Sequence, residues 1–190
     1  GHVHADIAKL PSGAEFKAMT LFVDAKSRYT HAVFDEKLKP TSQRATENIK
    51  HIQIRYDMND NSIKSLRFDK ESGYIAENTK AYLNQQKINL EINRSSEQNL
   101  AESKIAKIRD KAQSMIHDRN IPAKLKPYAF RYAVQVANLT PTDGLGGRTP
   151  YQEFFNKTPY AKISKLRTFG SIAYYKRPEA HKTDRAEPCI

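Results

Sequence analysis

The chain has no tryptophan, a single cysteine and seven glycines among 190 residues. With one thiol, Cys189, an internal disulfide is impossible and a zinc site built on cysteines is excluded. No apolar run approaches the roughly 20 residues that a membrane-spanning helix requires. The first residues carry no charged-then-apolar signal segment, and no internal repeat or low-complexity tract is present. These absences lead us to expect a soluble intracellular protein with no membrane partner. Its abrupt start reads as a piece of something longer.

Acid is the other shortage. Lys and Arg number 32 against 21 Asp and Glu, which gives a net charge of +11 and a pI near 9.6. Such a balance favours a polyanionic partner, because neutralising phosphates releases counterions and makes binding salt-sensitive. The plainer alternative is a soluble basic protein with solvated lysines. A mean hydropathy of -0.75 is low, yet MTLFV (19–23) and residues 132–139 can supply a core for one large domain, or a domain plus an extension. His2 and His4 lack nearby cysteine or further histidine, so a solvent-facing strand explains them better than a metal site.

Periodicity orders the chain. Residues 3–7, 16–23 and 28–34 read as strands separated by LPSG and DAKS, an antiparallel meander. A helix from 41 or 42 to about 56 follows, with Ala45, Ile49, Ile52 and Tyr56 on one stripe and Thr41 or Ser42 as cap. Residues 57–61 read as a loop and 62–68 as a strand ending at Asp69. A helix over 77–86, a strand over 88–92 and a polar loop over 94–98 come next. The pattern from 101 to 119 is strongly helical, its stripe formed by Ile105, Ile108, Ala112, Met115 and Ile116. A buried helix spans 128–139, starting at or just before Pro127. A Pro/Gly-rich connection then leads to a short helix over 150–155 with Pro150 at its first position, and a strand over 171–175. That order, β-β-β-α-β-α-β-α-α with an appended α and β, predicts a ribonuclease-H-like α/β fold. It is a five-stranded mixed sheet with helices on both faces and a short C-terminal extension.

Three acids stand in separate elements of that plan: Asp6 in HADI, Asp69 in LRFDKESGY and Glu102 in QNLAES. Their surroundings, with LFVDAKSRYTHAVF (21–34), Ile121-Pro122, Asn138-Leu139-Thr140-Pro141, GGRTPYQEFFNKTP (146–159) and KLRTFGSIAYY (165–175), resemble the integrase core of copia-type long-terminal-repeat retrotransposons. The resemblance runs in order over nearly the whole chain. It implies an integrase catalytic core over residues 1–139 and the family's downstream extension over 140–190. It implies that Asp6, Asp69 and Glu102 are the catalytic residues and ligands of Mg²⁺ (or Mn²⁺), with Asp6 bridging two ions and Asp69 and Glu102 each supporting one. The reaction implied is metal-dependent DNA strand transfer or endonucleolytic cleavage, in which a 3′-hydroxyl of element DNA attacks a host phosphodiester. Implied too are DNA partners (element ends and host target), a homo-oligomer, and residence in the nucleus with cytoplasmic virus-like particles.

Lys104, Lys107, Arg109 and Lys111 surround Glu102 in sequence and are the expected phosphate contacts, against the alternative of a solvated helix face. Tyr128, Tyr132, Tyr151 and Tyr160 fit packing better than base stacking. Asp24 fits turn capping better than metal binding.

The chain also departs from the family. Lys70-Glu71-Ser72-Gly73-Tyr74 replaces Asn-Gly-Gly-Glu-Tyr/Phe, Ser103 replaces a basic residue, and His31 and Lys126 stand where the family tends to carry Trp. The 32 residues between Asp69 and Glu102 are fewer than usual, and the shortage falls in the loop that helps position DNA ends. The resemblance places a zinc module before Gly1 and a targeting tail after Ile190. A remnant that keeps the fold and binds nucleic acid non-specifically is the alternative function, and a plain nuclease cutting RNA in hybrids is a third.

Overall fold

Seven successive buried residues make β2 (Ala18–Asp24), which lies between two antiparallel neighbours, β1 (His2–Lys9) and β3 (Thr30–Asp35). The remaining strands, β4 (Ser65–Phe68) and β5 (Asn89–Ile92), add in parallel on the far side of β1. The sheet order is β3-β2-β1-β4-β5, the five-stranded mixed sheet that the strand and helix pattern predicts. The computed structural model describes residues 1–11, 13, 15–58, 62–69, 73–93, 99–175 and 187–189. The loop read at 94–98, the end of the one at 57–61, and Lys70, Glu71 and Ser72 fall outside them.

Strand pleating divides the core into two layers, because alternate side chains leave opposite faces. On one face Ala8, Met19, Leu21, Val23 and Phe34 meet two helices, α3 (Leu100–Asp118) and α4 (Lys126–Leu139). The buried stripe of α3 is Ile105, Ile108 and Ala112, with Met115 and Ile116 packed at its edge. On the other face Val3, Ala5, Phe22, Leu66 and Phe68 meet α1 (Ser42–Asp57) and Leu83 of α2 (Glu77–Gln85). Thr41 caps α1 by accepting a hydrogen bond from the Arg44 amide.

The segment after Asp69 returns to this second layer through Gly73 and Tyr74. A Cβ on Gly73 would lie 2.9 Å from the Pro40 carbonyl oxygen, so a side chain is excluded there. Tyr74 stacks on Phe68 with centroids 4.6 Å apart, donates to the Thr20 hydroxyl and accepts from the Asn48 amide. The same Asn48 reaches Asp35, which pairs with Arg44 at 2.8 Å.

The motif at 146–155 has a local physical meaning. Gly146 and Gly147 take positive φ of 58° and 80°, a conformation glycine adopts without a Cβ penalty. Thr149 and Gln152 then form a reciprocal capping box with Pro150 in the first turn, which satisfies amides that a helix start leaves unpaired. Arg148 pairs with Glu153 at 2.8 Å. The resulting α5 (Pro150–Phe155) buries Phe154 against Tyr29, His31 and Tyr56. His31, where the resemblance expects Trp, is thereby 7% exposed inside an aromatic cluster, while Lys126 opens α4 half-buried. Three short elements complete the chain: α6 (Tyr160–Ile163), and the antiparallel pair β6 (Ala173–Tyr175) and β7 (Glu187–Cys189). Of these, periodicity anticipated β6 and missed the other two.

Candidate active site

Asp6 lies within β1 opposite Leu21 of β2. By alternation it leaves the sheet on the same face as Ala8, Leu21 and Val23, the face that α3 covers. The parallel pairing of β1 with β4 matches His2 with Ser65 and His4 with Arg67. Continued by two residues, that register sets Asp6 level with Asp69, which follows the last residue of β4. The parity is also right: Leu66 and Phe68 enter the α1-side core, so Asp69 belongs to the opposite face, with Asp6.

Glu102 arrives from above in the first turn of α3. Asn99 fixes where that turn begins. Its Oδ1 accepts from the Ala101 amide at 2.9 Å, and its Nδ2 donates to the Ala5 carbonyl at 3.4 Å. One buried side chain thus caps α3 and ties it to the residue before Asp6. The sequence reading started this helix at 101 and passed over Asn99; an Asn before an apolar helical stripe is the signal that identifies it.

The electrostatics register the proximity of all three acids. The half-buried Asp6 carboxyl is pushed above its ordinary value, first by burial and then by the charges of Asp69 and Glu102, while the Ile7 amide opposes the shift. Asp69 and Glu102 are exposed. As a donor set, three carboxylates suit a hard divalent cation, which takes oxygen ligands and would relieve the like-charge crowding on Asp6. Among the described residues, no group of three or more His, Cys, Asp or Glu is drawn close enough to grip a metal ion. Asp6 Oδ1 instead accepts a 2.7 Å hydrogen bond from the Ile7 amide.

The basic residues of α3 separate into two sets. At about 100° per residue, Arg109 is two turns from Glu102 and shares its side of the helix. Lys104, Lys107 and Lys111 lie on the opposite side, where with Arg28 they line a cavity between α3 and the α4–α5 connection. Burial lowers Lys104 to about 8, with Lys107, Lys111 and Arg28 adding to the effect.

Most of the remaining candidates fall into structural roles, while Tyr128 and Tyr160 do not pack as the sequence led us to expect. Asp24 Oδ1 accepts from both the amide and the hydroxyl of Ser27, each at 2.7 Å, so it shapes the β2–β3 turn. His2 Nδ1 meets the Ser65 hydroxyl at 2.7 Å. Tyr132 packs on Phe169 and donates to the Arg167 carbonyl, and Tyr151 packs on Phe155. Tyr128 and Tyr160 are exposed, at 43% and 75%.

The mixed sheet in 3-2-1-4-5 order, with helices on both faces, matches a ribonuclease-H-like integrase core. A solved structure of this fold is the HTLV-2 integrase catalytic core domain in complex with magnesium (trimeric form). That structure superposes with a TM-score of 0.60 over 80% of this chain and 95% of its own, at 14% identity. In sequence, the chain is 34% identical over 94 residues to the Retrovirus-related Pol polyprotein from transposon RE1 of Arabidopsis thaliana. It is 32% identical over 93 residues to the corresponding polyprotein from transposon RE2 of the same plant. These matches take in 48% and 47% of the chain and 6% of each polyprotein. No family model matches. The chain is partially homologous to copia-type retrotransposon Pol polyproteins and has the fold of a retroviral integrase catalytic core.

Proposed function

We propose that this chain is the core of a retrotransposon integrase, performing metal-dependent phosphodiester cleavage or strand transfer on DNA. The single observation that supports this reading is the placement of Asp6 level with Asp69, on the sheet face that Glu102 overhangs. In this reading Asp6, Asp69 and Glu102 hold Mg²⁺ or Mn²⁺. When bound, such a cation activates a hydroxyl or water and stabilises the leaving oxygen of an in-line displacement. Asn99 keeps the third carboxylate over the first by fixing the start of α3. Arg109, on the Glu102 side of α3, and the lysines 104, 107 and 111 contact DNA phosphates, and the net charge of +11 draws the polyanion in. Residues 140–190 are the extension, and Phe154 within it packs on Tyr29, His31 and Tyr56 of residues 1–139. Assembly into a homo-oligomer and action in the nucleus complete the proposal.

A branched DNA substrate incubated with Mn²⁺ or Mg²⁺ tests it. Cleavage or disintegration should require the cation and be abolished by Asp69→Asn; activity that survives Asp69→Asn would refute the site.

A second reading has its own support. The carboxylates are not drawn to metal-gripping distance among the described residues, and Asp6 turns an oxygen to its neighbour's amide. On that reading the chain is a remnant that binds nucleic acid by charge alone. Divalent cations then neither stabilise it nor promote cleavage, while its DNA affinity still falls steeply with salt.

A further inference from the structure

On the side of α3 away from Glu102, a cavity of about 410 Å³ opens between that helix, Arg28 of the β2–β3 turn and residues 140–144. Among the described residues four cations, Arg28, Lys104, Lys107 and Lys111, line it and no acidic residue does. The lysines recur at spacings of three and four along one helix side, so they stack into a single wall. Arg28 faces them from a left-handed backbone conformation, φ 60°. That conformation is uncommon for a residue with a Cβ, and here it follows the Asp24–Ser27 turn, which the Asp24 carboxylate holds closed.

Two of the lining residues carry a buried polar atom without a hydrogen-bond partner: Arg28 at Nη1 and Thr142 at its hydroxyl oxygen. A buried donor without a partner costs roughly 1–3 kcal/mol, more when charged. Among the described residues, no carboxylate pairs with any of the four cations. A guanidinium fork, three ammonium groups and a hydroxyl on residues that line one concave space match an anion rich in oxygen acceptors. The volume exceeds what a single halide or carboxylate fills, and the number of donors suits a tetrahedral oxyanion carrying more than one charge.

We propose that this cavity is a seat for a phosphate group, distinct from the three acids and set on the opposite side of the same helix. The group belongs either to a nucleic-acid backbone or to a free polyphosphate. The proposal stands whether or not the acids bind metal.

Inorganic tripolyphosphate is the probe, titrated against the whole chain with binding followed by the rise in Tm. Saturable stabilisation is expected, with half-saturation shifted at least tenfold upward in both Arg28→Gln and Lys107→Gln. Lys107 is exposed, so its variant keeps the test valid if loss of Arg28 disturbs the turn. Lys50→Gln on α1, across the sheet, and Asp69→Asn should both bind as the parent does. No saturable binding, or equal weakening by Lys50→Gln, would overturn the proposal by reducing the effect to net charge. A short DNA duplex added as competitor separates the sources. Displacement of tripolyphosphate assigns the seat to backbone phosphate, and duplex binding without displacement assigns it to a free polyphosphate.

Discussion

The offset that pairs His2 of β1 with Ser65 of β4 and His4 with Arg67, carried two residues beyond the last pair, sets Asp6 level with Asp69 just past the end of β4. Adjacent paired strands run about 4.8 Å apart, so register alone brings two carboxylates from residues distant in sequence to one place. Both leave the sheet on the face that α3 covers, and Asn99 brings Glu102 to the same edge.

Burial, with the like charges of Asp69 and Glu102 adding to it, makes the ionised Asp6 carboxylate costly. The Asp6 carboxyl is raised, so its contribution to stability is complete below its ordinary range and is lost as pH rises through the raised value. Asp6→Asn removes the charge and keeps an oxygen for the Ile7 amide. At pH 7 without divalent cations it should stabilise the fold by on the order of 0.5 kcal/mol after discounting for solvent screening, measured by urea unfolding. A clear destabilisation would mean that Asp6 is not in repulsive company.

Asn99 separates capping from positioning. Asn99→Ala loses both its bonds and should cost about 1 kcal/mol, the usual range for an N-cap. Asn99→Ser restores an acceptor for the helix amide but offers no amide group to the Ala5 carbonyl. It should recover most of the stability and little of the cleavage activity. Parallel recovery of both in thermal unfolding and nicking assays would reduce Asn99 to a cap.

How much of this was legible beforehand follows from the length of each pattern. Seven buried residues in β2 and the Ile105, Ile108, Ala112 stripe of α3 are long enough for periodicity to identify. Pro150 likewise marks the first turn of α5. The four-residue α6 and three-residue β7 carry less than two repeats of their periods and give no such signal. The three acids could be singled out by the words around them, but their alignment depends on a strand register that no local pattern encodes. The sides taken by the α3 cations were arithmetically available. What they face was not, because Arg28 and Thr142 come from distant segments.

Burial of His31 gives a pH signature. Desolvation, aided by Arg55 and His51, lowers its imidazole to about 3 from an ordinary 6.5. Between those values the unfolded chain binds more protons than the folded one. Stability from this group is therefore complete above pH 6.5 and declines as pH falls, by up to about 1.4 kcal/mol per unit. His31→Phe should flatten this decline while keeping contact with Tyr56 and Phe154. Urea unfolding at pH 7 and pH 5 checks it, and an unchanged difference between the two would contradict it.

Asn138 explains part of the motif that contains it. Its side-chain amide accepts from the Thr30 amide at 2.9 Å and donates to the Thr30 carbonyl at 2.8 Å, fastening α4 to the edge strand β3. Asn138→Ala leaves both Thr30 groups unpaired in a buried setting. A loss of about 2–3 kcal/mol is expected from the cost of such groups, read from chemical denaturation. A loss below 0.5 kcal/mol, the scale of an ordinary surface change, would show that α4 is held by packing alone.

The central claim is that Asp6, Asp69 and Glu102 act as one divalent-metal site. Mn²⁺ titration followed by electron paramagnetic resonance, on the parent chain and on Asp6→Asn, Asp69→Asn and Glu102→Gln separately, tests it most directly. The account predicts saturable binding in the parent and at least tenfold weaker binding in each variant. Mn²⁺ binding that is absent from the parent, or indifferent to all three substitutions, would contradict it.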